Sequence, residues 1–242
     1  MRSFTCLSVA LLGCLVVAGE TARAEFFTPI SLADSANGRI QSLHPEYPSG
    51  TGVDLGGVPF DIPSVGPNTW FATFASGGTS ASVSKTIPIG MTGVTGVHTL
   101  INTLWGRAGT PSLASLTFTY DDGSTFVKPL VGDSDIRDYY QNVFTNTINN
   151  TTTFRVFFTD TDGPAGPNRY RLDKQFVDLA AFSSKTLVSM RLNDFGNELV
   201  QRTFISGLTV QTVPEPSALA LTALGGAALL IRLRRSSTRR AD

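Results

Sequence analysis

The chain is poor in the residues that most often carry chemistry. Of 242 residues only two are cysteine, Cys6 and Cys14, and only two are histidine, His44 and His98. Both cysteines fall in an N-terminal apolar run, so a chain trimmed behind that run holds no thiol. Disulfides, thiol nucleophiles, thiolate zinc sites and iron–sulfur ligands are then excluded together. Stability has to come from a packed core, and roughly 190 residues can bury about 70% of their unfolded surface. No G-x-S-x-G, H-E-x-x-H, Walker loop or strand-linked G-x-G-x-x-G is present. A hydrolase triad would need a serine beside one of the two histidines, and no local signature marks one. His98 stands in a strand-like run, which reads first as a structural histidine.

Glutamate is scarce as well. Between the termini there are only Glu25, Glu46 and Glu198, so a glycosidase pair facing one sugar bond would have to draw on aspartates. Asp121, Asp122, Asp133, Asp135 and Asp138 cluster in sequence, but each adjoins Gly, Ser or a turn and reads as turn and capping chemistry. The sequence therefore points to a non-enzymatic protein. A carbohydrate-active enzyme with dispersed carboxylates is the alternative from another class, and a purely structural adhesin is a third.

Net charge is also lacking: 19 Lys+Arg balance 19 Asp+Glu. The zero hides an asymmetry. Residues 25–213 carry 12 Lys+Arg against 16 Asp+Glu, a net of −4, whereas residues 232–242 carry five arginines and one aspartate. An acidic body argues against nucleic acid, because neutralised phosphates supply most of that affinity. Five arginines behind an apolar run instead mark the cytoplasmic end of a membrane segment.

The two ends of the chain read as addresses. Arg2, the apolar stretch "CLSVALLGCLVVAG" and the A-x-A-like site Ala22-Arg23-Ala24 predict a signal peptide over residues 1–24, with the mature chain starting near Glu25. Acylation at Cys14 is the rival, disfavoured because apolar residues continue past it into "LVVAG". At the other end, Pro214 and Pro216 stop a helix from extending backwards, and Ser217 is a good N-cap. Residues 217–231 would span on the order of 22 Å as a helix, short of a ~30 Å hydrocarbon core unless Leu233 and snorkelling arginines extend it.

The order Val213-Pro214-Glu215-Pro216, apolar helix, then Arg232, Arg234 and Arg235, all close to the C-terminus and paired with a signal peptide, resembles the PEP-CTERM sorting signal of exported bacterial proteins. The resemblance covers residues 213–240. It implies that Pro214, Glu215 and Pro216 are recognised by an exosortase, a membrane-embedded transpeptidase-like partner, while the helix and arginines hold the precursor in the membrane. The protein would then be exported to the cell envelope, cell surface or medium. Glu215 would be a recognised residue and not a catalytic one.

Between these signals, residues 25–212 are rich in Gly, Thr, Ser and Phe. Leu116, Phe118 and Tyr120 share one face of "ASLTFTYDDGSTFVKPLV", and Asp122-Gly123 then turns the chain into Phe126, Val127 and Leu130, a strong hairpin signal. "KTIPIG", "VHTLINTLW", "TFRVFFTD", "RLDKQFVDL", "TLVSMRLN" and "RTFISGLTVQT" are further strands, with "TWFATFA" carrying Trp70 as a core residue. No longer segment keeps a helical stripe. The expected fold is all-β, an antiparallel, jelly-roll-like β-sandwich flanked by the signal peptide and a C-terminal transmembrane helix. "GVPFDI", "IPIG", "GVTGVHTLINTLWGRAG", "YDDGS" and "PLVGDSDIRDYY", residues 58–140, resemble the galactose-binding-like sandwiches of glycosidases and surface proteins. That resemblance supports a fold more than a ligand.

A sugar site needs an aromatic platform with polar partners. Trp105, at a strand end before Gly106-Arg107, is placed at a loop rim, and Arg107, Tyr139 and Tyr140 complete the candidate glycan contacts. Tyr170, Asp122, Asn142 and Arg169 are further candidates. "DTDGPAGPN" offers Asp160 and Asp162 to a structural calcium ion, although six to eight oxygens would need backbone carbonyls or a second loop. No other cofactor is implied. "NTINNTTTF" holds two N-x-[ST] sequons, at Asn149 and Asn150, which behind bacterial export signals read as a polar loop.

Overall fold

The computed structural model describes residues 25–72, 82–106, 108–140, 147–163, 166–196 and 201–213, with the side chains of 109–113 and 160–169 outside that description. The signal peptide with Ala22 and Ala24, the motif residues Pro214 to Pro216, the apolar run and the arginines Arg232, Arg234 and Arg235 lie outside the described residues. No helix among the described residues is long and apolar enough to cross a membrane. Twelve β-strands and two short 3-10 turns, Ile40–Ser42 and Ala180–Phe182, make up their regular structure.

Alternation of apolar with polar residues, hydroxyls in β7 and charged or amide side chains in β10, makes the strands, and their pairing is antiparallel throughout. One sheet has the order β1 (Phe26–Ile30), β12 (Arg202–Thr212), β6 (Val94–Leu104), β10 (Gly166–Asp178), β9 (Thr153–Gly163), with β4 (Trp70–Phe71) also paired to β12. A second has the order β5 (Val83–Met91), β11 (Leu187–Asp194), β7 (Gly109–Tyr120), β8 (Thr125–Gly132). β2 (Gly50–Asp54) and β3 (Pro59–Ile62) form a separate hairpin. The Asp-Gly turn falls where the sequence puts it: Gly123, at φ +80°, closes the β7–β8 hairpin. All-β architecture and antiparallel sheets thus agree with expectation.

Between the two large sheets lies a core that includes Val97, Ile101, Leu116, Phe118, Met190, Leu192, Ile205 and Leu208. Trp70 belongs to it. The opposite face of the six-stranded sheet is covered too. Leu100, Leu104, Leu172 and Phe204 pack there against Phe60 and Ile62 of β3 and against Ile40 and Tyr47. β6 is therefore buried on both faces, Val97 and Ile101 meeting the other sheet and Leu100 and Leu104 the hairpin side. Gly207 lets the hairpin approach: a Cβ there would stand 2.6 Å from Leu100 and 2.9 Å from Phe60.

The four-stranded sheet protects its edges. Lys85 on β5 pairs with inward-facing Leu192, and Lys128 on β8 pairs with inward-facing Leu116. Each edge strand thus turns one lysine toward the interior side, a device that discourages another strand from adding on. Lys128 finds Asp135 at 2.7 Å. Finally, β12 gives the molecule two ends. Thr212 lies opposite Phe26, and the Val213 amide donates to Gly93, whereas Arg202 at the other end lies opposite Leu104. Residues 25 and 213 leave from one end, and Trp105 stands at the other, roughly 30 Å of strand away.

Candidate functional site

β6 and β10 pair through residues 96–100 and 174–178 and then separate, and the segment after β8 fills the gap. Thr103 donates its amide to Arg137, Tyr139 donates to Thr103, and Arg171 donates to Tyr139, all at 2.9 Å. Polar side chains are thereby carried into the sheet. Arg137 grips Asp173 through Nε and Nη2, both at 2.7 Å, and Asn102 Nδ2 donates to the same carboxylate at 2.7 Å. The Asp173 amide in turn donates to Asn102 Oδ1. A buried pair of this kind is sustained by further hydrogen bonds, here the one from Asn102 to the same carboxylate.

Asp138 is the second buried acid. Its Oδ2 accepts from the Gly106 amide at 2.8 Å and its Oδ1 from the Tyr140 amide at 2.7 Å. Burial pushes its carboxyl up to about 6, against the pull of the Gly106, Tyr140 and Trp105 amides and of Arg171. Arg171 is lowered to about 10 by burial and by Arg137, and its Nε donates to the Asp138 carbonyl at 2.8 Å. Burial, followed by Asp138, raises the Tyr139 phenol to about 12.

Above this base stand aromatic rings. Trp105 is 46% exposed and adopts φ +52°, a left-handed conformation that costs a bulky residue energy. The Asp138 carboxylate, bonded to the next amide, holds that turn. His44 packs on Tyr170 at 4.3 Å between centroids, and Tyr170 lies 5.3 Å from Tyr140 and 6.0 Å from Tyr139. Tyr139 continues the band inward to Phe204 at 6.1 Å. The three tyrosines and His44 are all half-buried, so each shows part of a ring to solvent. Beside them, Glu46 accepts a hydrogen bond from the Thr159 hydroxyl.

The arrangement brings together three of the aromatic residues that the sequence singles out, Tyr139, Tyr140 and Tyr170, and places Trp105 at the same end of the sheet. It leaves out Asp122, which sits at the far end of β7 and is salt-bridged to Lys185 at 2.7 Å. Arg107 and Asn142 lie outside the described residues, as do the side chains of Arg169, Asp160 and Asp162. The backbone of Asp160 pairs with Arg169 and that of Asp162 with Pro167, near the end of the β9–β10 hairpin. Among the described residues no three or more His, Cys, Asp or Glu side chains converge as metal ligands would.

His98 is buried as a structural histidine would be, between Phe27 and Phe176, with Nε2 2.9 Å from Gln211. Its Nδ1 has no hydrogen-bond partner, and burial lowers its pKa. Sequence reading missed His44, Asp138 and Arg171 as parts of one site. No local signal could have found them, since Asp138 and Gly106 are 32 positions apart and Tyr47 and Arg171, joined by a hydrogen bond of 3.0 Å, are 124 apart. The chain matches no model of a known protein family, and it matches no curated protein.

Proposed function

We propose that this is an exported protein of the bacterial envelope that binds extracellular polysaccharide without turning it over. It would be made with a signal peptide, held by a C-terminal helix, and processed by an exosortase-like enzyme at Pro214-Glu215-Pro216 in the manner of PEP-CTERM proteins. The finer reading of the fold, a jelly-roll sandwich like the galactose-binding ones, draws support from connections that pass between the two sheets after β5, β6, β8, β10 and β11.

The observation that carries the binding assignment is the aromatic band of His44, Tyr139, Tyr140 and Tyr170, with Trp105 exposed in a strained turn at the same end of the sheet. Half-exposed rings offer flat apolar faces to sugar C–H groups, and their hydroxyls lie at the edge to hydrogen-bond. Strain of this kind persists where the surrounding structure enforces it, here through Asp138. A rim at the end opposite residues 25 and 213 would face away from an attachment point.

Retention of the full-length protein, in detergent, by polysaccharide-bearing affinity gels tests the reading. Trp105→Ala is expected to lose retention while its melting temperature stays unchanged, and no reducing ends should appear on incubation. Unchanged retention would remove Trp105 from the site. Release of reducing ends would establish an enzyme, and neither retention nor release would leave a structural adhesin.

A further inference from the structure

The segment carrying Asp138 and Tyr139 has a second neighbour. Beside Arg137 opens a cleft of about 440 Å³, lined also by Thr147, Ile148, Asn150, Phe154 and Arg155. It lies against β9, an edge strand with one extra residue: Phe157 pairs with Leu172 and Arg155 with Asp173, so Val156 is bulged. A bulge at a sheet edge bends the strand and re-aims its side chains. Phe154 and Arg155, adjacent in sequence, here line the same cleft. Phe154 is 42% exposed, and the Arg155 guanidinium sits 4.6 Å over the Phe158 ring.

The loop on the other side is held firmly. Asn149 Oδ1 accepts the amides of Thr151, Thr152 and Thr153 at 2.9 to 3.1 Å, and the Thr147 amide donates to Asp133. Asn150 is at φ +53°. The sequon stretch is thus a capped turn that forms a wall. Its charge is also out of keeping with the rest of the body, which is acidic: the described lining has two guanidiniums and no carboxylate. Arg137 is committed to Asp173, but Arg155 is exposed and makes no ion pair among the described residues.

We propose that this cleft binds the carboxylate of a hexuronate unit in an acidic polysaccharide, with Arg155 supplying the charge and Phe154 the apolar face for the sugar ring. The proposal rests on the reading of the domain as a polysaccharide binder and names the class of polysaccharide. A planar guanidinium meets a carboxylate with two parallel hydrogen bonds, and its seat on Phe158 limits the freedom lost on binding.

Calorimetric titration of the full-length protein in detergent with oligogalacturonate, its methyl-esterified form and a neutral dextran of matched length tests it. Oligogalacturonate should bind best, with affinity that falls as salt rises. Methyl esterification or Arg155→Ala should each weaken binding at least about tenfold, and Arg155→Lys should weaken it less. Because Arg155 is exposed, all variants should melt with the wild type. Equal affinity for the esterified chain, or undiminished oligogalacturonate binding by Arg155→Ala, overturns the cleft and leaves the aromatic rim standing if Trp105→Ala still abolishes binding. Failure of the wild type to bind any of the three glycans overturns both.

Discussion

Asp138 combines burial, three backbone amides and a raised pKa in one side chain. Its carboxyl rises from the ordinary 3.8 to about 6 on folding. Between those values the folded protein holds a proton that the unfolded chain has released, so stability falls as pH rises from about 4 to about 6 and the contribution then levels off. The span is worth about 3 kcal/mol. A melting profile against pH should show this fall in the wild type, and its absence in Asp138→Asn would assign it. That variant should also be less stable at every pH above 6, since its NH₂ would face the Gly106 or Tyr140 amide where an acceptor is required. If the two profiles run parallel, Asp138 does not titrate in this range.

At the scale of elements, one feature ties the two sheets together and another guards a sheet's edges. Asp194 at the end of β11 accepts from Arg202 at 3.2 Å, from the Thr203 amide at 2.6 Å and from the Gly196 amide at 2.8 Å. This fastens the four-stranded sheet to the start of β12. Both side chains are 1% exposed. Removing one partner by Asp194→Ala should therefore cost about 3–5 kcal/mol in denaturant unfolding, more than a surface ion pair would. A loss under about 1 kcal/mol would show that the pair is not buried in solution. The second feature is the pair of inward lysines on β5 and β8. Replacing both Lys85 and Lys128 with valine should raise the apparent mass in light scattering as concentration rises, because two smooth edges become available. An unchanged mass would mean that the prolines of these strands, Pro88 and Pro129, suffice alone.

Across the whole molecule, residue 25 and residue 213 leave together because β1 is paired to the last five residues of β12, Leu208 to Thr212. Under the proposed processing, both cleavages would take place at one end of the domain. The species recovered from surface or medium is expected to run from Glu25 to between Val213 and Pro216, and intact mass would read both boundaries at once. Replacing Pro214-Glu215-Pro216 with alanines should leave a precursor in the membrane fraction, and normal processing of that variant would remove the sorting proposal. Under the same proposal the ligand would meet the far end: β6 runs toward Trp105, and β10 and the segment after β8 bring Tyr170, Tyr139 and Tyr140 to that end, away from the one at which the chain would be held.

Much of the strand pattern was legible in the sequence because a strand's period is local. Leu116, Phe118 and Tyr120 alternate with hydroxyl residues, Asp122-Gly123 supplies a turn, and the all-β antiparallel class follows. The absence of cysteine from residues 25–213, the acidic body and the basic tail were equally plain in composition alone. The second core was not legible, because β6 buries both faces and nothing in "VHTLINTLW" distinguishes Val97, which meets the other sheet, from Leu100, which meets β3. Nor was the site: Asp138, Gly106, Arg171, Tyr47 and His44 come together only where β6 and β10 part and a distant segment enters between them. Short-range alternation determined the strands, and long-range pairing of the backbone decided which side chains share a surface.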